Sequence, residues 1–572
     1  MYEPHLASST VIDDGRPWYS TLTRYHWFVL TVAALGWLFD TMDQQLFNLA
    51  RVPAMKELLR PSPDVAAPQA DVDFYAGVAT SIFLIGWATG GLFFGVLGDR
   101  IGRAKTMLLT ILLYSLFTGL SAFSYGIWDF ALWRFLTGLG VGGEFAVGVA
   151  LVAEAMPDRA RPYALALLQA LSAVGNITAA IISIFLGQLE QSGAVGQAWR
   201  WMFVIGTVPA LLAILIRRRL KEPERWEKAA HEPGAAVQQL GSVQELFTDP
   251  RWRRRALVGV VLASAGVIGL WGIGFFSVDL NRSVFRKNFQ NEARAAGAVD
   301  HDRLFVQLAL ASPDKLPELR QLVKAPDLLG ANTNPQSAKL PEQIYNAALK
   351  RHDAGQTVSS DSVTAALTAE NPEWGAAAAE YLAAPLPSAS VGVDALAQQI
   401  RGRTANIAGR LTLWAGVTSM MLNIGAFFGI YLFGIVSQRI GRRPTFAISF
   451  VLALASTALV FWTFQSISQV FWMIPLMGFC QLSLFGGYAV YFPELFPTRL
   501  RSTGTSFCYN VGRFLAAAGP FTLGYLTSQV FSVENGYEEP MRYAGVAMCG
   551  IFLIGLLALP FAPETKGQPL PE

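Results

Sequence analysis

The 572-residue chain is 52% hydrophobic and only 15% charged. A soluble globular chain carries about 25% charged residues, so most of this surface does not face water. A formal net charge of +3 is too small to mark nucleic acid as a partner. The cysteines, Cys480, Cys508 and Cys549, all fall in apolar runs, so they read as buried packing residues and neither a disulfide framework nor a zinc site is expected.

The polar tail 1–25 does not read as a cleaved signal peptide. Crossing about 30 Å of hydrocarbon takes about 20 apolar residues in a helix. Six runs approach that length: His26–Ala50, Tyr75–Leu97, Thr106–Tyr125, Ile127–Ala155, Tyr163–Leu189 and Trp201–Ile216. They make a first bundle over 26–216, followed by a basic linker, 217–255. A seventh run covers Ala256–Val278. A polar, alanine-rich insert then fills 279–410, with helix-like stretches at Asp302–Leu310, Pro341–Arg351 and Trp374–Ala383. Five more runs occupy 411–561: Leu411–Ser437, Thr445–Phe464, Val470–Phe492, Thr503–Val530 and Tyr543–Phe561. A short tail, 562–572, ends the chain. The expected fold is an all-α membrane protein of 12 transmembrane helices in two pseudo-symmetric six-helix bundles, with a helical insert between helices 7 and 8.

Lys and Arg concentrate in the even-numbered connections, so these and both termini are expected in the cytoplasm and the insert on the other side. The halves repeat. Gly95-Val-Leu-Gly-Asp-Arg-Ile-Gly-Arg103 returns as Gly434-Ile-Val-Ser-Gln-Arg-Ile-Gly-Arg442. Glu154, Pro157, Arg159 and Arg161 return as Glu494, Pro497, Arg499 and Arg501, at nearly the same offset of about 340 residues. Two parallel six-helix repeats around a central site are a known carrier design.

With these motifs stand Arg134-Phe-Leu-Thr-Gly-Leu-Gly140, Pro493–Gly504, Glu222-Pro-Glu-Arg-Trp226 and Pro563-Glu-Thr-Lys-Gly567. Together they resemble the major facilitator superfamily over both membrane blocks, with the last two similar to the ends of the halves in sugar-porter-like and organic-ion branches. Asp40-Thr-Met-Asp43 is similar to the paired aspartates in the first helix of aromatic-acid and carboxylate proton symporters, with Thr41 where that branch usually has glycine. The resemblance implies a carrier in the plasma or inner membrane, functional as a monomer, with no cofactor beyond a proton gradient. Its partners are the lipid bilayer and a small, anionic solute. An enzyme is not expected, because no nucleotide loop, metal cluster or nucleophile–base set is present.

A charge near the bilayer centre costs roughly 2.5–3.5 kcal/mol on insertion scales, which makes each such residue a functional candidate. Helical rise puts Asp40 and Arg134 at matching depth, about 9–10 Å below the outer edge. Asp40 is expected to carry the coupling proton under control of Arg134, the alternative being a static pair; Asp43 shares the proton-coupling motif. Glu144 is either a second proton site or a partner for a cation. Arg513 lies at mid-membrane, about 15 Å deep, beside Asn510 and Tyr509. It is expected to bind a substrate carboxylate, or else to pair with an acid such as Glu144. Tyr488, Trp37, Trp271, Gln169 and Asn176 are candidate pocket residues. Asp99, Arg100 and Arg103, the clusters Glu154–Arg159 and Glu494–Arg499, and Arg439 and Arg442 are expected to gate the cytoplasmic end, with Asp99 against the helix start at Ser502 and Thr503. The leading reading is proton-coupled uptake of an organic anion; a sugar:proton symporter and a non-transporting solute sensor are the alternatives.

Overall fold

The computed structural model describes residues 17–59, 69–191, 193–211, 216, 219–231, 240–295, 301–323, 340–383, 393–516, 518–531, 535–537 and 539–571. Every regular element among them is helical. The chain divides into two compact units, Met1–Leu280 with Gly416–Glu572, and Asn281–Ala415.

The first unit begins with α1 (Arg24–Leu58), α2 (Gln69–Ile101), α3 (Arg103–Ser121), α4 (Ile127–Ala155), α5 (Arg161–Gln191) and α6 (Ala198–Ile205). Two short linker helices follow, α7 (Glu224–His231) and α8 (Val243–Thr248), and then α9 (Pro250–Ile268), which runs into a π-helical turn, Gly269–Ile273. Nine helices among the described residues are long and apolar enough to cross a membrane. The first, sixth and eleventh predicted runs are not among them. The first carries the polar residues of the site described below, and the sixth and eleventh are interrupted at 212–215 and 517, which lie outside the described residues.

Close packing repeats between the halves. In the first, α2 and α4 touch backbone to backbone. A side chain on Gly90 would overlap the Leu139 carbonyl, and one on Gly142 the Trp87 carbonyl. In the second, α16 (Val393–Ile440) and α18 (Met473–Leu495) meet in the same way, Gly429 against the Phe479 carbonyl. Small residues at such crossings let helices approach without a hydrophobic driving force between them. The loop motifs repeat too. Gly102 (φ 110°) and Gly441 (φ 103°) turn the chain into α3 and into α17 (Arg442–Thr463). Glu222 then accepts from the first free amides of α3, Ala104 N and Lys105 N, both at 3.1 Å. Glu564 does the same for α17, from Arg442 N at 2.9 Å and Arg443 N at 3.0 Å. The two sequence stretches that look like ends of halves are therefore helix caps, placed where orphan amides favour an anion. At the opposite ends of these helices, Arg200 donates to the Ala122 and Ser124 carbonyls and Arg542 to those of Phe461, Trp462 and Phe464. The rest of the unit is α19 (Arg501–Ala516), α20 (Ala518–Tyr525), α21 (Pro540–Met548) and α22 (Ile551–Ala558). All three cysteines are free and buried.

The second unit has its own apolar core, in which Leu304, Phe305, Leu316, Leu319, Ile344, Val363 and Leu367 are buried. Helices at His301–Ala311, Leu340–Asp353 and Pro372–Ala383 match the three stretches read from sequence, and Leu316–Val323 and Ser360–Glu370 are additional. Tyr345 ties two of them by donating to the Leu316 carbonyl at 2.9 Å.

Candidate functional site

Five carboxylates of the first half are buried among the described residues: Asp99 and Glu154 near helix ends, and Asp40 and Asp43 on α1 and Glu144 on α4 within their helices. Arg134, fully buried, faces Asp43 at 3.9 Å. This corrects the expected Asp40–Arg134 pair. Asp43 is almost one helical turn further along α1, and that turn brings it level with Arg134. Arg134 is otherwise held by Ser121, Thr137 and the Phe117 carbonyl, with Phe203 under its plane at 4.5 Å. Glu144 accepts from Thr110 Oγ1 at 2.8 Å and lies against Gly36, where a side chain would displace it.

Asp40 faces the seam between the halves. Neither of its oxygens has a hydrogen-bond partner among the described residues, and the cation acting on it is Arg513 of α19. Arg513 does not pair with Glu144. Its Nη1 donates to Asn510 Oδ1 at 2.9 Å, its Nε has no hydrogen-bond partner among the described residues, and its Cζ lies 3.9 Å from the Trp87 ring centre and 4.1 Å from that of Tyr509. Around it runs a chain of aromatic contacts. Trp87 meets Trp271 edge-on at 6.0 Å, Tyr509 stacks on Phe145 at 4.3 Å, and Phe145 packs against Trp37 at 4.8 Å. These residues come from α1, α2, α4, α19 and the π-helical turn after α9, so both halves contribute to one aromatic cluster around a buried guanidinium.

Several expected pocket residues are engaged elsewhere. Tyr488 donates to the Leu262 carbonyl at 2.7 Å and stacks on Phe492, which ties α18 to α9, and it meets Tyr509 edge-on at 6.3 Å. Asn510 spends its amide on Arg513 and Ser506 and acts as a positioning residue. Asn176 donates to Asn423 at 2.9 Å, joining α5 to α16 across the seam. Gln169 is buried with its Oε1 unpartnered.

At one end the halves are clamped. The Asp99 carboxylate accepts from Ser502 N (3.2 Å), Thr503 N (2.8 Å) and Thr503 Oγ1 (2.6 Å), at the start of α19 where the sequence placed it. Arg103 pairs with Asp99 at 2.8 Å, forks onto Glu154 at 3.1 and 3.0 Å, and donates to the Thr498 carbonyl of the other half at 2.8 Å. Glu154 also receives Arg501 at 2.9 Å. Two-pronged contacts of this kind fix geometry as well as charge. The counterpart cluster differs. Arg442 forks onto Glu494 at 3.1 and 2.8 Å, but Thr565 satisfies Glu494 at 2.5 Å, and Arg161, the counterpart of Arg501, pairs with Asp158. The salt bridge across the seam is thus one-sided. The linker adds to the clamp, since Trp226 donates to the Asp99 carbonyl at 2.8 Å, Arg499 pairs with Glu245 at 2.7 Å, and Arg100 reaches the Leu240 carbonyl at 3.4 Å. Arg159 is half-buried in the turn after α4. Arg439 is exposed on the last turn of α16, where its carbonyl accepts from Lys566.

Sequence reasoning missed Trp87, Phe145, Arg501 and Glu245. The first two sit among many apolar aromatics with nothing local to separate them. Arg501 was visible as the repeat counterpart of Arg161, but its partner Glu154 was not.

The family model for the Major Facilitator Superfamily matches residues 33–292 and 392–572, leaving out most of the insert. A putative metabolite transport protein of Haemophilus influenzae is 25% identical over 556 residues, covering 96% of this chain and 99% of its own. A probable 4-methylmuconolactone transporter of Cupriavidus pinatubonensis is 24% identical over 93% of this chain and 89% of its own. Among solved structures, the proton:xylose symporter XylE superposes with a TM-score of 0.56 at 16% identity, covering 96% of this chain and 98% of its own, a likeness of fold. With two repeated helical halves, a clamp built from the repeated loop motif and a family match over most of its length, the chain belongs to the Major Facilitator Superfamily and is a membrane transporter, not an enzyme.

Proposed function

We propose that the protein takes up a small organic anion, an aromatic or unsaturated carboxylic acid, coupled to protons by alternating access. The observation that carries this is Arg513: a buried guanidinium with an unpartnered Nε, set between Trp87 and Tyr509. A guanidinium takes a carboxylate through two parallel hydrogen bonds, and flat aromatic walls suit a conjugated body. A neutral sugar offers this guanidinium no anion to fork onto. The 4-methylmuconolactone transporter named above points to the same solute class.

Proton coupling is supported by the nearby acids. A substrate carboxylate on Arg513 competes for the cation that acts on Asp40, and any shift of α4 against α1 alters the 3.9 Å separation of Asp43 and Arg134. Either event changes a carboxyl group's hold on a proton. The basic residues gathered at the clamped end favour its placement in the cytoplasm, so this conformation is closed to the cytoplasm. In this reading twelve helices span the plasma membrane, both termini are cytoplasmic, the insert lies outside, and one chain suffices because it supplies both halves of the aromatic cluster.

The test is uptake into proteoliposomes with an imposed pH gradient, using labelled benzoate-type acids and labelled pentose in parallel. Acid accumulation that collapses with a protonophore, and that Asp40→Asn abolishes while counterflow persists, is expected. Accumulation of sugar alone would overturn the substrate class, and binding without flux would make the protein a sensor.

A further inference from the structure

One face of α3 carries hydroxyl groups that the proposed mechanism leaves unused. Thr110, Tyr114 and Thr118 follow at four-residue spacing and Ser121 three residues later, so they lie in a row along the helix. All four are fully buried. Both ends of the row meet charged groups. Thr110 donates to Glu144 at 2.8 Å, and Ser121 accepts from Arg134 Nη2 at 2.6 Å.

Between those ends, the hydroxyls of Tyr114 and Thr118 have no hydrogen-bond partner among the described residues. Thr118 shares a pocket with Asp43. At the bare face of Gly206, Thr118 Cγ2 is 2.5 Å and Asp43 Oδ1 3.0 Å from where a Cβ would stand. Tyr114 sits among the acids, with Glu144 acting most strongly on its hydroxyl, then Asp40, then Asp43. Gly140 of α4 makes the room, since a Cβ there would lie 2.8 Å from Tyr114 Cβ. The charged groups facing the row are Asp40 and Asp43 from α1 and Arg134 and Glu144 from α4. An unpaired buried hydroxyl is destabilising, a cost phenylalanine or valine would avoid. Two of them in line between acids mark a path for water and protons.

We infer that Thr118 and Tyr114 form a proton relay from Asp43 to Glu144 inside the first half, flanked by Thr110 and Ser121 and separate from the aromatic cluster at the seam. The row spans about 16 Å of helix, and the relay rests on the proposed proton coupling. Protonated Asp43 passes its proton to the Thr118 oxygen while the Thr118 hydrogen moves toward Tyr114. The Tyr114 hydrogen moves to Glu144 Oε1, which has no partner, while Thr110 steadies Oε2. Water completes the chain wherever two groups lie beyond hydrogen-bond reach. Asp43 is left a carboxylate opposite Arg134, which Ser121 holds in place, and Glu144 is left neutral. Each hydroxyl keeps one hydrogen and resets by rotation. One proton has moved, and no other bond has changed.

The experiment compares proton-driven uptake with counterflow for Tyr114→Phe in proteoliposomes, using benzoate as solute. The ratio of the two rates is expected to fall by about a hundredfold, the low end of what a positioned proton-transfer group contributes. A purely structural role would lower both rates together and leave the ratio intact. An unchanged ratio in Tyr114→Phe, in a wild-type background that is proton-driven, overturns the relay and leaves the proposed function standing. A wild type whose uptake ignores the pH gradient overturns both. Should Tyr114→Phe fail to insert, Thr118→Val gives the same readout with the same expected fall.

Discussion

Replacing Asp99 with asparagine removes one charge from the clamp and almost no volume. Asp99 Oδ2 takes Thr503 N and Thr503 Oγ1, while Oδ1 takes Ser502 N and faces Arg103. An amide oxygen can replace only one of the two carboxylate oxygens. If it stays at the Oδ2 position, the new NH2 group confronts the Ser502 N–H and leaves a buried donor unpaired, at about 1–3 kcal/mol. Losing the negative charge at the start of α19 adds about 0.3–1 kcal/mol. A loss near 3 kcal/mol changes an equilibrium by roughly a hundredfold. A clamp closed 99% of the time would thus come close to parity. The assay is pulsed electron resonance between spin labels on cysteines placed at Lys105 and Ile440, exposed positions in opposite halves at the clamped end. The three native cysteines are buried and will label poorly. Wild type should give one short distance, and Asp99→Asn should add a longer population of comparable weight. An unchanged distance distribution would refute the idea that Asp99 holds the seam closed.

Arg513→Lys keeps the charge but loses the planar fork. It should weaken carboxylic-acid binding about tenfold or more in a thermal-shift titration, because a point charge cannot make two parallel bonds. Gly142→Ala puts a methyl group into the Trp87 carbonyl and should destabilise the detergent-solubilised protein by about 1–3 kcal/mol, read as a lowered Tm; an unchanged Tm would mean α2 and α4 can part freely. Glu564 is partly buried, which alone would raise its pKa, but the amides of Arg442, Arg443 and Lys566 outweigh this and hold its carboxyl below the usual range. A lowered folded-state pKa gives stability that is present above about 4.3 and is lost as pH falls below it. Wild type should therefore lose stability on acidification in that window faster than Glu564→Gln, as measured by melting between pH 3 and 6.

The membrane architecture was legible because hydrophobic run length and repeated loop motifs are local signals. So was the contact of Asp99 with Ser502 and Thr503, since a motif acid and a helix start can both be located by counting. The pairing inside the first half was not. Asp40 and Asp43 are three residues apart, and choosing which meets Arg134 depends on helix rotation and tilt, which residue depth alone does not fix. The bond of Tyr488 to the Leu262 carbonyl was hidden for a similar reason: nothing local in the sequence says which backbone a buried tyrosine meets. The row on α3 was hidden because threonine, serine and tyrosine in an apolar helix are commonplace until their partners are known.

The insert has a use that follows from its private core. Residues such as Leu304, Phe305 and Ile344 pack with one another, so the segment can be revised, tagged or exchanged at a cost paid mainly in its own stability. Lengthening a connection costs entropy only logarithmically. A module of this kind offers structural biologists a fiducial for small-particle imaging, and it offers evolution a place to acquire new surface chemistry while the solute path stays as it is.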